Sequence, residues 1–271
     1  MNILLGCGNG SFENQTSLST GKASSPISIV VANFNYDNQL DIAVVNLGTD
    51  NIGIFLGYGD GQFSPQSTYS TGQNSFPSSL AVSDFNRDGA LDIVVANYNK
   101  DNVGVFVGDG KFVPQIIYSV GKNSLPILVA VADVNNDHQV DIVVLNSGAS
   151  TVGILLGFDD GTFQSQKTFS IGTFSYPTSI AVDDLNNDGI IDIAVANAQT
   201  GEEHVLILLG DGHGDFSKHS KYLTGISSGL CSAVIGYFDN DTQLDIAIIN
   251  NHTKNVAVLL GYGDGTFFHT F

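Results

Sequence analysis

Residues 84–97 read DFNRDGALDIVVAN, a nine-residue loop with an oxygen-bearing side chain at alternate positions, then an apolar run closed by asparagine. The arrangement occurs four more times: NFNYDNQLDIAVVN at 33–46, DVNNDHQVDIVVLN at 133–146, DLNNDGIIDIAVAN at 184–197 and YFDNDTQLDIAIIN at 237–250. A recurrence every ~50 residues makes the chain an array of one supersecondary unit, so one copy decides the architecture.

Each copy holds four short segments. The first follows a proline in most copies and is rich in small and β-branched residues, as in Ser28–Ala32 or Ser79–Val82. The apolar run after the acidic loop is the second. The third is NIGIFLG at 51–57, with counterparts NVGVFVG, TVGILLG, HVLILLG and NVAVLLG. The fourth begins at Phe63, Phe112, Phe163, Phe216 or Phe267. Runs of β-branched residues bounded by Gly, Asn, Asp and Pro read as strands, and no segment carries a sustained helical period. The glycine-rich link between the third and fourth segments (GYGDGQF at 57–63) reads as a hairpin turn whose Asp-Gly pair is a turn former.

Four strands of ~5–6 residues with their turns make a propeller blade. A kelch propeller would show Gly-Gly and aromatic signatures, and a calcium β-helix would repeat its acidic motif at every turn. An EF-hand needs a glutamate at loop position 12 and flanking helices, whereas this chain has Val44, Val95, Val144, Val195 and Ile248 there. The expected fold is therefore an all-β propeller of four-stranded antiparallel blades, a single domain over residues 1–271. Blades are expected at 26–70, 77–119, 126–170, 177–223 and 230–271. Residues 1–21 form a partial blade: an extra hairpin that either belongs to a sixth blade or caps the edge of a five-bladed ring.

Composition agrees with a turn-rich β protein: 42% hydrophobic residues, 31 glycines and no tryptophan. A net charge of −18 disfavours contact with nucleic-acid phosphates. Fourteen of the 27 acidic residues sit at positions 1, 3, 5 and 9 of the five loops. Five divalent cations would offset ten of those net charges. No apolar run reaches the ~18–20 residues of a membrane helix, so no membrane insertion is expected. The start MNILLGCGNGSF lacks a signal peptide's basic region, and its Leu-Leu-Gly is the repeat's own, recurring at 155–157, 208–210 and 259–261. Cys7 and Cys231 read as two unrelated thiols rather than a disulfide scaffold. Acceptor patterns for N-glycosylation occur at Asn9, Asn14, Asn240 and Asn251.

Oxygen ligands on a curled loop are what Ca²⁺ needs, and Mg²⁺ prefers fewer protein ligands and a stricter octahedron. The expected metal ligands are Asp84, Asn86, Asp88 and Asp92; Asp133, Asn135, Asp137 and Asp141; and Asp184, Asn186, Asp188 and Asp192. A backbone carbonyl at position 7 would add another oxygen. Gly89 and Gly189 at position 6 ease the sharp turn, where Asn38, His138 and Thr242 stand in the other loops. Up to five sites are expected, but unequal ones. Loop one offers Asn33, Asn35, Asp37 and Asp41, with one carboxylate fewer. Loop five offers Asp239, Asp241 and Asp245 but has Tyr237 at position 1.

On these loops the chain resembles the FG-GAP/VCBS-type repeats of calcium-bearing β-propellers, including the integrin α-subunit propeller with its D-x-D-x-D-G-x-x-D loop. It departs from them in carrying Asn at position 3 and no literal FG…GAP pair. The resemblance covers essentially the whole chain and implies structural calcium, an extracellular or cell-surface setting and a binding or adhesion role.

Variable loops on a rigid scaffold are where recognition sits. The connections on the face opposite the acidic loops diverge most, and their candidates for a protein or glycan ligand are Phe76, Tyr98, Lys100, Phe174, Tyr176, Glu202, Glu203 and His204. Phe34, Phe85, Phe238 and the five hairpin phenylalanines read as core. Catalysis is the opposing reading, as in a polysaccharide-active enzyme. It would need a convergent acid–base set, for which Glu202, Glu203 and His204 are the only local cluster. A structural spacer within a longer repeat protein is the third reading.

Overall fold

The structure, a computed structural model, describes residues 1–12, 16–109, 111–173, 175–198, 203–225 and 228–270. It opens with a two-stranded hairpin, β1 (Asn2–Ile3) and β2 (Thr16–Ser17). Blade one is β3 (Pro26–Ala32), β4 (Asp41–Asn46), β5 (Asn51–Phe55) and β6 (Ser67–Ser70). Blade two is β7 (Pro77–Ser83), β8 (Asp92–Asn97), β9 (Asn102–Phe106) and β10 (Ile116–Ser119). Blade three is β11 (Pro126–Ala132), β12 (Asp141–Asn146), β13 (Thr151–Leu155) and β14 (Lys167–Ser170). Blade four is β15 (Pro177–Asp183), β16 (Asp192–Asn197), β17 (Glu203–Gly210) and β18 (Phe216–Gly225). Blade five is β19 (Leu230–Gly236), β20 (Asp245–Asn250), β21 (Asn255–Gly261) and β22 (Phe267–Thr270). Each blade is an antiparallel meander, and the first strands of consecutive blades lie against one another. The protein is a β-propeller.

The second strands explain the apolar runs. In blades one to four every residue of that strand is buried, because a neighbouring blade covers each face. A strand covered on both faces has no polar side to alternate with. The blades are joined by four cores, each made of the trailing face of one blade and the leading face of the next. Phe34 of blade one meets Phe112 of blade two edge to face at 5.8 Å, and Phe85 meets Phe163 at 5.2 Å. Such pairs add to the apolar burial of each joint.

One expectation about the core fails. Phe238 is 49% exposed where its equivalents Phe34 and Phe85 are buried. The residue occupies the same loop position, but among the described residues no hairpin phenylalanine meets it edge to face as Phe112 meets Phe34 and Phe163 meets Phe85. Cys7 and Cys231 are free and exposed, as two unrelated thiols.

The hairpin of β1 and β2 repeats the outer half of a blade. Asn2 pairs with Ser17 as Gly53 pairs with Thr68, and the Gly6–Phe12 bridge repeats Gly57–Phe63. Met1, Ile3 and Leu18 pack on Ile42, Val44, Phe55 and Phe63 of blade one, as the third strand of each blade packs on its successor. The hairpin is thus a half-blade preceding blade one.

Each third segment ends on a glycine that the sequence alone does not explain. A Cβ at Gly57, Gly108, Gly157, Gly210 or Gly261 would lie 2.1–2.5 Å from a carbonyl oxygen of the loop just before β4, β8, β12, β16 or β20. Backbone cannot yield there as a flexible side chain would. Gly157→Ala is expected to cost about 1–3 kcal/mol of folding stability in urea denaturation, as overpacking does. An unchanged midpoint would show that this approach is not tight.

Candidate metal centres and the opposite face

The acidic loops join the first and second strands, all on one face of the propeller. In loops two to four the position-1 aspartate reaches back across the turn. Asp84 accepts the Asp88 and Gly89 N–H groups at 3.2 and 2.9 Å. Asp133 accepts those of Asp137 and His138 at 3.2 and 2.7 Å, and Asp184 those of Asp188 and Gly189 at 3.1 and 2.8 Å. The position-3 amide joins this network: Asn86 donates to Asp88 at 3.0 Å, Asn135 to Asp137 at 2.8 Å and Asn186 to Asp188 at 2.9 Å. Positions 1, 3 and 5 therefore gather over one curl of backbone.

The curl needs left-handed backbone at two places. Position 6 has positive φ at Asn38, Gly89, His138 and Gly189, so histidine accepts it too, while Thr242 does not adopt it. Position 4 has positive φ in all five loops, at Tyr36, Arg87, Asn136, Asn187 and Asn240. Tyr36 and Arg87 gave no sequence signal of this, being residue types that seldom take that conformation.

The loops are unequal. Asn33 in loop one reaches only the Asn35 N–H, at 3.4 Å, and Asn35 donates to Asp37 at 2.9 Å. In loop five Tyr237 is exposed, Asp239 accepts the Asp241 N–H at 3.1 Å and Asp241 accepts that of Gln243 at 2.7 Å.

Position 9 stands apart from the rest. Asp41, Asp92, Asp141, Asp192 and Asp245 have no exposed surface. One carboxylate oxygen of each accepts the N–H of loop position 2: Phe34, Phe85, Val134, Leu185 or Phe238, at 2.7–3.0 Å. The other accepts the N–H of the glycine that closes the third segment: Gly57, Gly108, Gly157, Gly210 or Gly261, at 2.8–2.9 Å. Burial pushes Asp141 and Asp192 up to about 6, against the lowering effect of those N–H donors, and the neighbouring position-5 and position-1 aspartates push the same way. Asp92 is raised by the same causes.

Among the described residues no three His, Cys, Asp or Glu side chains form a ready cation cage. The donors nevertheless fit a hard cation in kind: carboxylate and amide oxygens at positions 1, 3 and 5, one side-chain hydrogen bond apart, above a buried carboxylate. Each carboxylate oxygen that takes one N–H keeps a second lone pair.

The opposite face carries a different set of carboxylates. Asp50, in left-handed conformation, accepts the N–H groups of Asn74 and Phe76 at 2.7 and 3.0 Å. Asp101 accepts those of Asn123 and Leu125 at 2.7 and 3.0 Å. Glu203 takes the same place in blade four, accepting the Leu230 N–H at 3.2 Å and the Ser228 hydroxyl. Burial pushes Glu203 up, but the Ser228 hydroxyl and the Leu230 and Gly229 N–H groups more than offset it and hold its pKa low. These residues clasp the linker into the following blade. The available signal was an acid directly before the third strand, as in Asp50-Asn51-Ile52 and Asp101-Asn102-Val103.

The ligand-face candidates separate accordingly. Glu203 and His204 are buried, with the His204 ring 3.4 Å from the Asn197 amide. Phe76 is partly exposed while its backbone is held in the Asp50 clasp. Lys100 ends an exposed 3₁₀ turn. Phe174 and Glu202 lie outside the described residues. Tyr98 and Tyr176 come together at one cleft of about 700 Å³ between blades two, three and four, with Ser147, Ser150, Thr173 and Thr178 also on its walls. No charged side chain lines it among the described residues.

A propeller built from acidic-loop repeats defines the class, and the FG-GAP-like repeat model matches at residues 34–95, 84–144, 133–195 and 184–248. The chain belongs to the FG-GAP-like repeat family. Each match runs from one acidic loop through the second strand after the next. No curated protein sequence matches the chain. Among solved structures it is similar to virginiamycin B lyase from Staphylococcus aureus with quinupristin, at 14% identity and TM-score 0.65, over 99% of this chain and 76% of the lyase. It is similar to an Agrocybe aegerita lectin that recognises non-reducing terminal N-acetylglucosamine, at 20% identity and TM-score 0.61, over 90% of this chain and 65% of the lectin. A putative 6-phosphogluconolactonase from Bacteroides uniformis matches at 14% identity and TM-score 0.65, over 94% of this chain and 87% of the other. At such identities the likeness concerns the fold.

Asp141→Ala removes the acceptor for two buried N–H groups, each costing ~1–3 kcal/mol when unpaired, so a loss of roughly 2–6 kcal/mol is expected in urea denaturation. The native state of the wild type holds the Asp141 proton more tightly than the unfolded chain. The Asp141 contribution should therefore fall as pH rises from about 4 to about 6. In calcium-free buffer the variant's stability should decline less than the wild type's across that window. Parallel pH profiles would contradict the assignment.

Proposed function

We propose that the protein is a calcium-stiffened extracellular propeller that binds a glycan on the face opposite its acidic loops. The observation that carries the reading is the cleft with Tyr98 and Tyr176 on its walls, where no charged side chain stands among the described residues. Its volume lies within the ordinary range of small-molecule sites, ~300–1,000 Å³. Tyrosine offers a flat apolar ring with a polar tip, and serine and threonine hydroxyls both donate and accept hydrogen bonds. An uncharged ligand with alternating apolar faces and hydroxyls suits such walls better than an anion or a basic peptide. The fold-level likeness to the lectin agrees, as an analogy only. Binding is favoured over catalysis because Glu203 and His204, the local acid–histidine pair, are buried, with Glu203 spent on the inter-blade clasp.

Calcium would be held by the position-1, -3 and -5 side chains: Asp84, Asn86 and Asp88; Asp133, Asn135 and Asp137; Asp184, Asn186 and Asp188. Loops one and five would bind more weakly. Bound there, the ion supplies positive charge against clustered carboxylates and no chemistry. The position-9 aspartates contribute charge from behind while keeping their N–H partners.

Two measurements test this reading. A ligand that binds only the folded state at one hundred times its dissociation constant adds about 2.7 kcal/mol per site, so chelation should lower the thermal midpoint by several degrees. Asp84→Ala, Asp133→Ala and Asp184→Ala should each remove part of that difference; a midpoint indifferent to chelator would refute structural calcium. On a glycan array the wild type should bind neutral glycans, and Tyr176→Ala should weaken binding by about tenfold or more with an unchanged midpoint. Turnover of a polysaccharide without stable glycan binding would favour the catalytic reading instead.

A further inference from the structure

We propose that the cleft continues, at the joint of blades three and four, into a groove for an anionic group, and that the ligand is therefore an acidic glycan. A neutral ring would lie against Tyr98 and Tyr176, and a neighbouring ring would place its carboxylate or sulfate on Lys218 and Lys221. The proposal rests on the glycan reading of the cleft and adds the charge of its ligand. The groove measures about 340 Å³ and shares Gly172 with the cleft. The exposed Lys218 and Lys221 line it beside the buried Ile171, His204 and Leu206. Among the described residues no carboxylate lines either space.

A fault in the strand register brings the two lysines together. Residues three apart on a regular strand face opposite ways. In blade four Leu206 lies opposite Lys221, Ile207 opposite Ser220 and Leu208 opposite Lys218, so His219 is an extra residue in the ladder. Such a bulge re-aims the side chains around it. Leu206 and Leu208 belong to the core between blades three and four, which puts both lysines on the face turned towards blade three. The outer strands of blades one to three are four residues long, whereas that of blade four runs FSKHSKYLTG. Lys167, at the same joint, is already paired with Asp215.

The clasps explain why an anion belongs at this joint. Leading into blades two, three and five, the clasp position holds Asp50, Asp101 or Glu203. Leading into blade four it holds Ser150, in the same left-handed conformation (φ 52°, against 52° and 51° at Asp50 and Asp101). Ser150 donates its hydroxyl to the Ser175 carbonyl at 3.2 Å and offers no carboxylate. The N–H before the proline, which Asp50 and Asp101 accept at Phe76 and Leu125, goes at Tyr176 to the Asn197 side chain of blade four at 3.0 Å. Ser150, Ser175 and Tyr176 all line the cleft, which opens where the clasp carboxylate is replaced. An anion at the other three joints meets a like charge, and at this one it meets two ammonium groups.

The test is a glycan array of matched pairs, each a neutral oligosaccharide beside the same backbone carrying a uronate or a sulfate, followed by titration of the tightest pair. The anionic member is expected to bind about tenfold or more tightly than its neutral partner, as a charge-assisted hydrogen bond gives, and added salt should erase the difference. The uronate and sulfate arms tell which anion the groove takes. Lys218→Gln combined with Lys221→Gln should bring the anionic member down to the affinity the wild type shows for the neutral one, with the thermal midpoint unchanged. Ser150→Asp should weaken the anionic member by about tenfold more than the uncharged, isosteric Ser150→Asn does. Equal affinity within every pair, or a preference that survives the double lysine change, overturns the inference and leaves the neutral-glycan reading standing. Binding of no array member overturns both. Anionic binding that the lysine change abolishes and Tyr176→Ala leaves untouched supports the groove and overturns the cleft reading.

Discussion

A buried carboxylate at the end of each acidic loop holds three parts of the chain at once. Asp141 takes the Val134 N–H from the start of its loop and the Gly157 N–H from beyond the third strand, while its own backbone begins the second strand. Four other blades repeat the bond pair within a tenth or two of an ångström. Two charge-assisted bonds offset the cost of burying the carboxylate, though not wholly, which is why burial raises the pKa of Asp141 and Asp192. The glycine that donates must also pass close to a carbonyl, so glycine and aspartate are one device.

With the closing aspartate locked, the remaining loop oxygens are left for another task. The position-1 and position-5 carboxylates curl over the locked one and act on it as like charges, an arrangement a divalent cation would relieve. The opposite face solves a different problem. Asp50, Asp101 and Glu203 pin three of the linkers as they enter the next blade, so acidic residues there serve the joints between blades. A cleft with no charged side chain on its walls among the described residues lies on that face.

Much of this was legible in the repeat. Period, alternation and glycine placement led to a propeller of four-stranded antiparallel blades, and the sparser hydrogen bonding of loops one and five follows from Asn33 and Tyr237. Other features were not legible, because they depend on what lies across a joint. Phe238 has the same neighbours in sequence as Phe34 and Phe85, yet it is exposed because burial comes from the next blade. Glu203 and His204 resembled a surface acid–histidine cluster until their burial and partners were known. The left-handed turns at Tyr36 and Arg87 are imposed by the loop network over residue preference.

By itself the sequence determined the unit: its four strands and its acidic loop of oxygen-bearing side chains. These depend on local spacing and side-chain chemistry, which a short stretch of chain carries with it. Tertiary structure alone decided which carboxylates are buried locks, which clasp blades and which hold the loop's own curl. It also decided which apolar faces are covered by a neighbouring blade. Burial and pairing are properties of neighbours, and in a stacked repeat the neighbours of each residue lie about fifty residues away.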